Sequence, residues 1–289
     1  MKTAVLTDSA SNIPKELVEK YDITVLPITI IFGETQYRDG VDMSAQAFLD
    51  KLADSKQLPT TAQVSMGQMQ EAFDNLSAQG YDEVICVNLS SGITTFYENL
   101  VMYSKDVTNI KVYPFDSLIA SAGEANLTLL AAKMAQEGHH ADTILPKLEL
   151  MRDSMKVAFV VDSLSHLMRT GRISNASALI GSMLRIKPLL TFEKGKIVPL
   201  SKERTMKQAT NKVMELVEAS VPTYDVPVRI SVVDANNPKL QNDWLEKLHQ
   251  KFPDVAIDSN LIGPAISVHT GTKAMGIIWS IDWEYLSEH

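Results

Sequence analysis

Short β-rich apolar runs alternate with longer amphipathic stretches along almost the whole chain, and this alternation limits the fold more than any other feature. The segments 3–7, 23–32, 83–89 and 110–115 read as strands. Between them, a stretch opened by Met43 and Ser44 places Phe48, Leu49 and Leu52 on one helical face. A second, N-capped by Ser65, does the same with Met66, Met69, Phe73 and Leu76, and both follow the helical period. The segment 118–138 is rich in Ala and Leu and is expected to be buried on much of its circumference. Strands spaced by helices in this way predict an α/β domain of three layers, α/β/α, around a mainly parallel sheet.

A second set of strands follows at 157–161, 189–192, 196–200, 228–233 and 274–281, with helices at 175–183, 205–219 and 240–251. Glu193, Lys194, Gly195 and Lys196 read as a hairpin turn, so this half is expected to carry a mixed sheet. The domain boundary is placed near Ser154, dividing the chain into 1–154 and 155–289. No low-complexity linker separates the halves, which are therefore expected to pack on each other.

At 289 residues and 45% hydrophobic composition, each half can bury a core without disulfides or metals. The formal charge of −8, with no basic stripe, argues against nucleic acid as a partner. The single Cys86 lies in the apolar run Val84–Val87 and reads as a small core hydrophobe. The first residues are too short in apolar length for a secretory segment, and no stretch approaches the roughly 20 apolar residues of a membrane span. A cytoplasmic protein is the expectation.

Strand, Asp and a small residue recur at Asp8-Ser9, Asp116-Ser117, Asp162-Ser163 and Asp234-Ala235. Capping of the following turn is the simpler reading of all four. The alternative is that these strand ends face a ligand crevice. Walker and Rossmann glycine patterns are missing, as are G-x-S-x-G and zinc-type histidine spacings among His139, His140, His166, His249, His269 and His289. His139 and His140 read as a solvated helix end. What remains are three hydroxyl-rich segments: Pro59 to Ser65, Asn88 to Thr95, and Gly263 to Thr272 with His269 inside it. Each alone is explained by capping and turns, but three together point to an anion site at helix starts.

These residues resemble the DegV family of bacterial fatty-acid-binding proteins, which supply the binding subunit of fatty acid kinase. The likeness runs from Leu6-Thr7-Asp8-Ser9 and Val25-Leu26-Pro27 through Asp39-Gly40, Thr61 to Ser65, Leu89 to Gly92 and Phe115-Asp116-Ser117. It continues through Gly171-Arg172-Ile173-Ser174 and Arg204-Thr205 to His269-Thr270-Gly271. The resemblance implies a two-domain α/β fold with a long-chain fatty acid between and within the domains. Its carboxylate would be held by Thr61, Thr94 and His269, with Ser91 as a substitute donor if Thr94 points away. This chain departs from the family's loops at Ala62, Val64 and Thr95, and Thr272-Lys273 stand where a Pro-Gly pair is usual. Lys273 either adds positive charge near the carboxylate or lies on the surface.

An acyl tail of about 16 carbons at about 0.8 kcal/mol per methylene contributes roughly 10 kcal/mol on burial. A charge-assisted hydrogen bond adds about 1.5 to 3 kcal/mol, so the tail sets affinity and the head sets orientation. Candidate tail-lining positions are Ile28, Ile30, Leu118, Ile119, Ala122, Leu179, Ile180, Met183 and Leu184, although ordinary core packing is the simpler reading of each. The resemblance further implies a non-catalytic carrier, with no cofactor beyond the bound fatty acid of about C16 to C18. A separate ATP-dependent fatty acid kinase would dock on Arg172 and Arg204 and make acyl-phosphate, and transient contact with a membrane surface fits the same picture. Two other classes stay open from the residues: a hydrolase using a Ser or Thr hydroxyl with His269 as base, and a phosphotransferase-like enzyme.

Overall fold

The structure is a computed structural model describing residues 1–55, 58–174 and 186–289. Strand β1 (Thr3–Asp8) leads through a short 3-10 turn to α1 (Lys15–Lys20) and back to β2 (Ile23–Leu26). The expected single strand over 23–32 is two strands in two sheets. Pro27, which has no N–H to donate to a ladder, follows the end of β2, and the chain then enters β3 (Thr29–Phe32). With β4 (Thr35–Arg38) and β5 (Thr60–Ala62), β3 forms a separate antiparallel sheet of order β4-β3-β5 that the sequence pattern did not suggest. Helix α2 (Ala45–Asp54) is N-capped by Ser44, and α3 (Met66–Ala78) opens with a capping box in which Ser65 and Gln68 bond reciprocally.

Next come β6 (Glu83–Asn88), α4 (Phe96–Tyr103), β7 (Lys111–Asp116), α5 (Ala122–Gln136) and α6 (Ala141–Ser154). The main sheet of this half has order β2-β1-β6-β7 and is parallel throughout. Strand residues alternate between its faces: Val5 and Ile85 pack under α5 and α6, while Leu6 and Cys86 pack with α3 and α4. The three layers expected from the sequence are present.

The rest of the described chain runs through β8 (Lys156–Val160), α7 (Ser165–Arg169), β9 (Lys187–Glu193), β10 (Lys196–Glu203), α8 (Met206–Ser220) and β11 (Val228–Asp234). It closes with α9 (Pro238–Lys251), β12 (Ala256–Leu261), α10 (Pro264–Thr270), β13 (Met275–Ile281) and α11 (Trp283–Glu288). Its sheet, of order β10-β9-β8-β13-β11-β12, is mixed, with β11 and β12 parallel and the other pairs antiparallel. Helices α8 and α9 cover one face through Val213, Val217, Trp244 and Leu248. The other face shares one apolar cluster with α5 and the parallel sheet. Helix α5 thus lies between the two sheets, buried almost all round, and Asn126 on it donates to Ser231 Oγ on β11 at 3.1 Å.

Several expected boundaries are corrected. Helix α5 begins at Ala122 rather than Leu118, because Leu118 and Ser121 take φ values of 55° and 57° and turn the chain before the helix starts. Helix α6, which carries Pro146, and the weakly apolar strand β12 went unrecognised. The segment 263–272, read as a loop, contains α10. The expected helix at 175–183 lies outside the described residues. The β9–β10 hairpin does turn at Lys194 and Gly195, with φ of 48° and 78°, as a tight two-residue connection requires. That turn docks on the loop after β6, where Ser90 Oγ donates to the Gly195 carbonyl at 2.7 Å. The two backbones come so close that a Cβ on Gly92 would collide with the Gly195 carbonyl.

Candidate functional site

A cavity of about 240 Å³ lies where the two sheets face each other. Its walls are mostly apolar: Ile28, Val64, Ile93 and Ile119 come from the first half, and Val157, Phe159, Phe192, Val233 and Ile278 from the second. Of the candidate tail-lining residues, Ile28 and Ile119 do line it. Ile30 does not; it is fully buried in a satellite cluster with Phe48 and Val268. Leu118 faces a different groove, beside Arg152 and Gly195, and Ala122 packs in the central core. Leu179, Ile180, Met183 and Leu184 lie outside the described residues.

The polar part of the wall is assembled from distant segments. Thr61 stands in the middle of β5, opposite Ile30 of β3, and His269 near the end of α10. Their side chains meet, with Thr61 Oγ1 and His269 Nε2 3.0 Å apart. Two tethers bring these elements together. Arg169, at the end of α7, donates from Nη2 to the Pro59 carbonyl at 2.9 Å, just ahead of β5. The buried Asp39 carboxylate accepts from Ser9 Oγ at 3.0 Å and from the Ala265 N–H of α10 at 3.2 Å. His166 adds a third contact, donating from Nδ1 to the Val268 carbonyl at 3.2 Å while its ring lies against Gly271.

Thr94 also lines the cavity, and its hydroxyl and that of Thr95 each donate to Gln63 Oε1 at 3.3 Å. Gln63 is therefore a lining residue that sequence reasoning passed over, although it lay inside a segment singled out for its hydroxyls. Thr95 takes φ of −95° as the residue before α4, so its β-carbon meets no left-handed geometry. Ser91 does not line the cavity; its backbone N–H donates to the Asp116 carboxylate at 3.1 Å. Lys273 is an exposed surface residue with φ of 65°, a conformation that favours glycine.

Charge at this polar cluster comes from arginine rather than histidine. Burial, followed by the nearby Arg172, Arg169 and His166, pushes the His269 imidazole down to about 3, so it is neutral at pH 7. Its Nδ1 is buried without a hydrogen-bond partner among the described residues. Arg172, placed on a docking surface by the sequence reading, is half-buried in the cavity wall, with Nη1 donating to the Thr170 carbonyl at 2.5 Å. Arg204 is exposed just ahead of α8. When the ring carries its proton on Nε2, it donates to Thr61 Oγ1 and leaves the hydroxyl proton free for an incoming acceptor. Neutral imidazole, threonine and guanidinium together can therefore hold a carboxylate.

The four strand-end aspartates divide by role. Asp8, Asp116 and Asp234 accept from backbone N–H groups of the turns that follow, as capping predicts, while Asp162 pairs with Lys187. Asp8 also lines the cavity, and burial pushes its carboxyl up to about 6. Among the described residues, no group of three or more His, Cys, Asp or Glu side chains is placed to hold a metal ion, and no helix is long and apolar enough to cross a membrane.

A family model described as "Uncharacterised protein, DegV family" matches residues 2–282. The chain belongs to the DegV family. Protein DegV of Bacillus subtilis (strain 168) is 36% identical over 280 residues, covering 96% of this chain and 99% of its own. The crystal structure of DegV from Bacillus subtilis, described as a fatty acid binding protein, matches with a TM-score of 0.90 at 36% identity over 97% of this chain and 99% of that one. A fatty acid binding DegV family protein from Streptococcus agalactiae matches at 0.89 and 30% identity over 97% and 99% of the two chains. A stearic acid-binding protein from Eubacterium ventriosum matches at 0.87 and 25% identity over 98% and 99%. The two-domain α/β architecture is thus that of solved DegV structures.

Proposed function

We propose that this DegV-family chain is a non-catalytic cytoplasmic carrier that holds a long-chain fatty acid between 1–154 and 155–289. The observation that carries this reading is an apolar cavity shared by both halves, with Thr61, Thr94, Arg172 and His269 gathered in its wall. Relatives described as fatty acid binding, covering nearly the whole chain, support it. Thr61 would donate to the carboxylate while His269 holds its hydroxyl oxygen, Thr94 and Gln63 would border it, and Arg172 would balance its charge. The bound acid would then be presented to a separate ATP-dependent fatty acid kinase, which makes acyl-phosphate, with the exposed Arg204 on the contact surface.

The test is native and denaturing mass spectrometry of protein purified without added lipid, followed by extraction and identification of the released molecule. About one fatty acid per chain is the expected result. Thr61→Ala and His269→Ala should each weaken fatty acid affinity by about tenfold, the worth of one hydrogen bond to a charged group. An empty protein that ignores a fatty acid panel would refute the carrier reading.

The 3.0 Å Thr61–His269 pair also invites a hydrolase reading. Against it, no carboxylate orients His269 Nδ1 among the described residues, and an imidazole held near 3 is a poor base at pH 7. Turnover of short p-nitrophenyl esters that vanishes in His269→Ala would favour the hydrolase.

A further inference from the structure

The cavity has a second polar corner, away from the Thr61–His269 pair in sequence and built on different elements. Asp8 and Ser121 both line it, and both are more than nine-tenths buried. Asp8 ends β1 and Asn88 ends the neighbouring β6, while Ser121 and Glu124 lie three residues apart at the start of α5, which crosses above those strand ends. Among the described residues, Ser121 Oγ and both amide atoms of Asn88 are buried without hydrogen-bond partners, while the Glu124 and Asp8 carboxyls are hydrogen-bonded to each other. The carboxyl of Asp8 accepts from the Ala10 and Leu89 N–H groups at 2.9 and 3.2 Å. Glu124 Oε1 accepts from Thr7 Oγ1 at 3.2 Å. Of the unpaired groups, Ser121 Oγ faces the cavity, and an unpaired hydroxyl there is uncommon in a folded interior, where buried polar groups are almost always paired. Against a plain hydrocarbon chain the Ser121 hydroxyl would stay unpaired.

We propose that this corner is a subsite for a hydroxyl group carried on the bound acyl chain, so that the protein takes hydroxylated fatty acids in preference to unsubstituted ones. The inference rests on the fatty-acid reading of the cavity. A hydroxyl both donates and accepts, which suits the carboxylate of Asp8 on one side and the hydroxyl of Ser121 on the other. A second anionic group is disfavoured, because the Asp8 carboxylate lies in the wall. Burial and the neighbouring Asp8 hold the Glu124 carboxyl well above the usual range, so it is a neutral acid there and itself a donor.

The experiment compares the affinity of the whole protein at pH 7 for stearate and for a series of hydroxystearates whose hydroxyl sits at successive positions along the chain. At least one isomer is expected to bind about tenfold more tightly than stearate, as one added hydrogen bond to a charged group implies. The quantity read in variants is the ratio between that isomer and stearate, which a general loss of folding does not move. Ser121→Ala should bring the ratio down toward one. If that variant does not fold, Asp8→Asn should do the same. Stearate binding with no isomer preferred means the corner holds only water and overturns the subsite while leaving the carrier reading intact. A ratio unchanged in the folded variants also overturns it. If neither stearate nor any hydroxystearate binds, the carrier reading falls and the subsite with it.

Discussion

The two large sheets meet the cavity in different ways. The parallel sheet ends its strands at one edge, and Asp8, Leu89 and Ser121 reach the cavity from the segments at and just beyond those ends. The mixed sheet lays a face against it, through Val157 and Phe159 of β8, Phe192 of β9, Val233 of β11 and Ile278 of β13. Where the mixed sheet is locally parallel, at β11 and β12, it behaves like the first: α10 with His269 follows directly after β12. Parallel pairing collects strand ends and helix starts at one place, and with them polar side chains. Antiparallel pairing offers a broad apolar wall. The comparison teaches that, between the two large sheets, pairing direction decides which brings polar side chains to the cavity and which an apolar wall, while Thr61 reaches it from the small antiparallel sheet.

The sharpest way to break this division is at the seam where the mixed sheet's hairpin docks on the loop after β6. Gly92→Ala drives a Cβ into the Gly195 backbone, which cannot swing aside as a side chain can, and should cost more than ~4 kcal/mol in denaturant unfolding. Gly123→Ala first meets the Ile119 and Met155 side chains, which can shift, and should cost clearly less, and equal losses would show that the seam is not rigid. On the apolar wall, the almost fully buried Ile278→Ala should lower stability by about 2 to 4 kcal/mol and weaken fatty acid binding with it. Stability lost with affinity unchanged would remove that wall from the tail site.

The polar edge is tested by pH. Burial pushes the Asp39 carboxyl up to about 6 from 3.8, so folding favours its protonated form. Its contribution is full below about 4 and is lost as pH rises through about 6. Asp39→Asn stays neutral throughout, so the stability difference between variant and wild type should move in the variant's favour from pH 4 to pH 7, by ~3 kcal/mol at most. A flat difference across that window in denaturant titrations would mean that Asp39 ionises in the folded protein as freely as in the unfolded chain. The smallest effect is expected at Lys273, whose φ of 65° favours glycine. Lys273→Gly should raise stability by about 1 kcal/mol, read as a higher Tm, if relief of the strained backbone outweighs the added freedom of the unfolded chain.

Most of the architecture was legible in the sequence because it follows from local periodicity. Ser44 and Ser65 announced their helices, and the β9–β10 turn announced its hairpin. The misreadings have local causes. Pro27 divides an apolar run that hydrophobicity alone joins, and Pro146 argues against a helix that tertiary packing nonetheless supports, with Ile144 and Leu148 buried on either side of it. Strand β12 has too few apolar residues to stand out, being half-exposed along most of its length.

The site was legible in a different measure. Hydroxyl-rich segments and an isolated histidine marked Thr61, Thr94 and His269 as candidates, but nothing in their order said that Thr61 and His269, 208 positions apart, would come within 3.0 Å. Nor did the pattern separate Ile28, in the cavity wall, from Ile30, two residues along and buried against Phe48. What the sequence determined by itself was the alternation of strands and helices, the hairpin and the residue types available for holding an anion, since each depends on neighbours a few positions away. Only the tertiary structure decided that Arg172 enters the wall, that Ser91 stays out of it and that Asp8 and Ser121 form a second polar corner. Those outcomes depend on how two sheets close over one helix, and burial and hydrogen-bond satisfaction are settled only once distant segments share the same low-dielectric space.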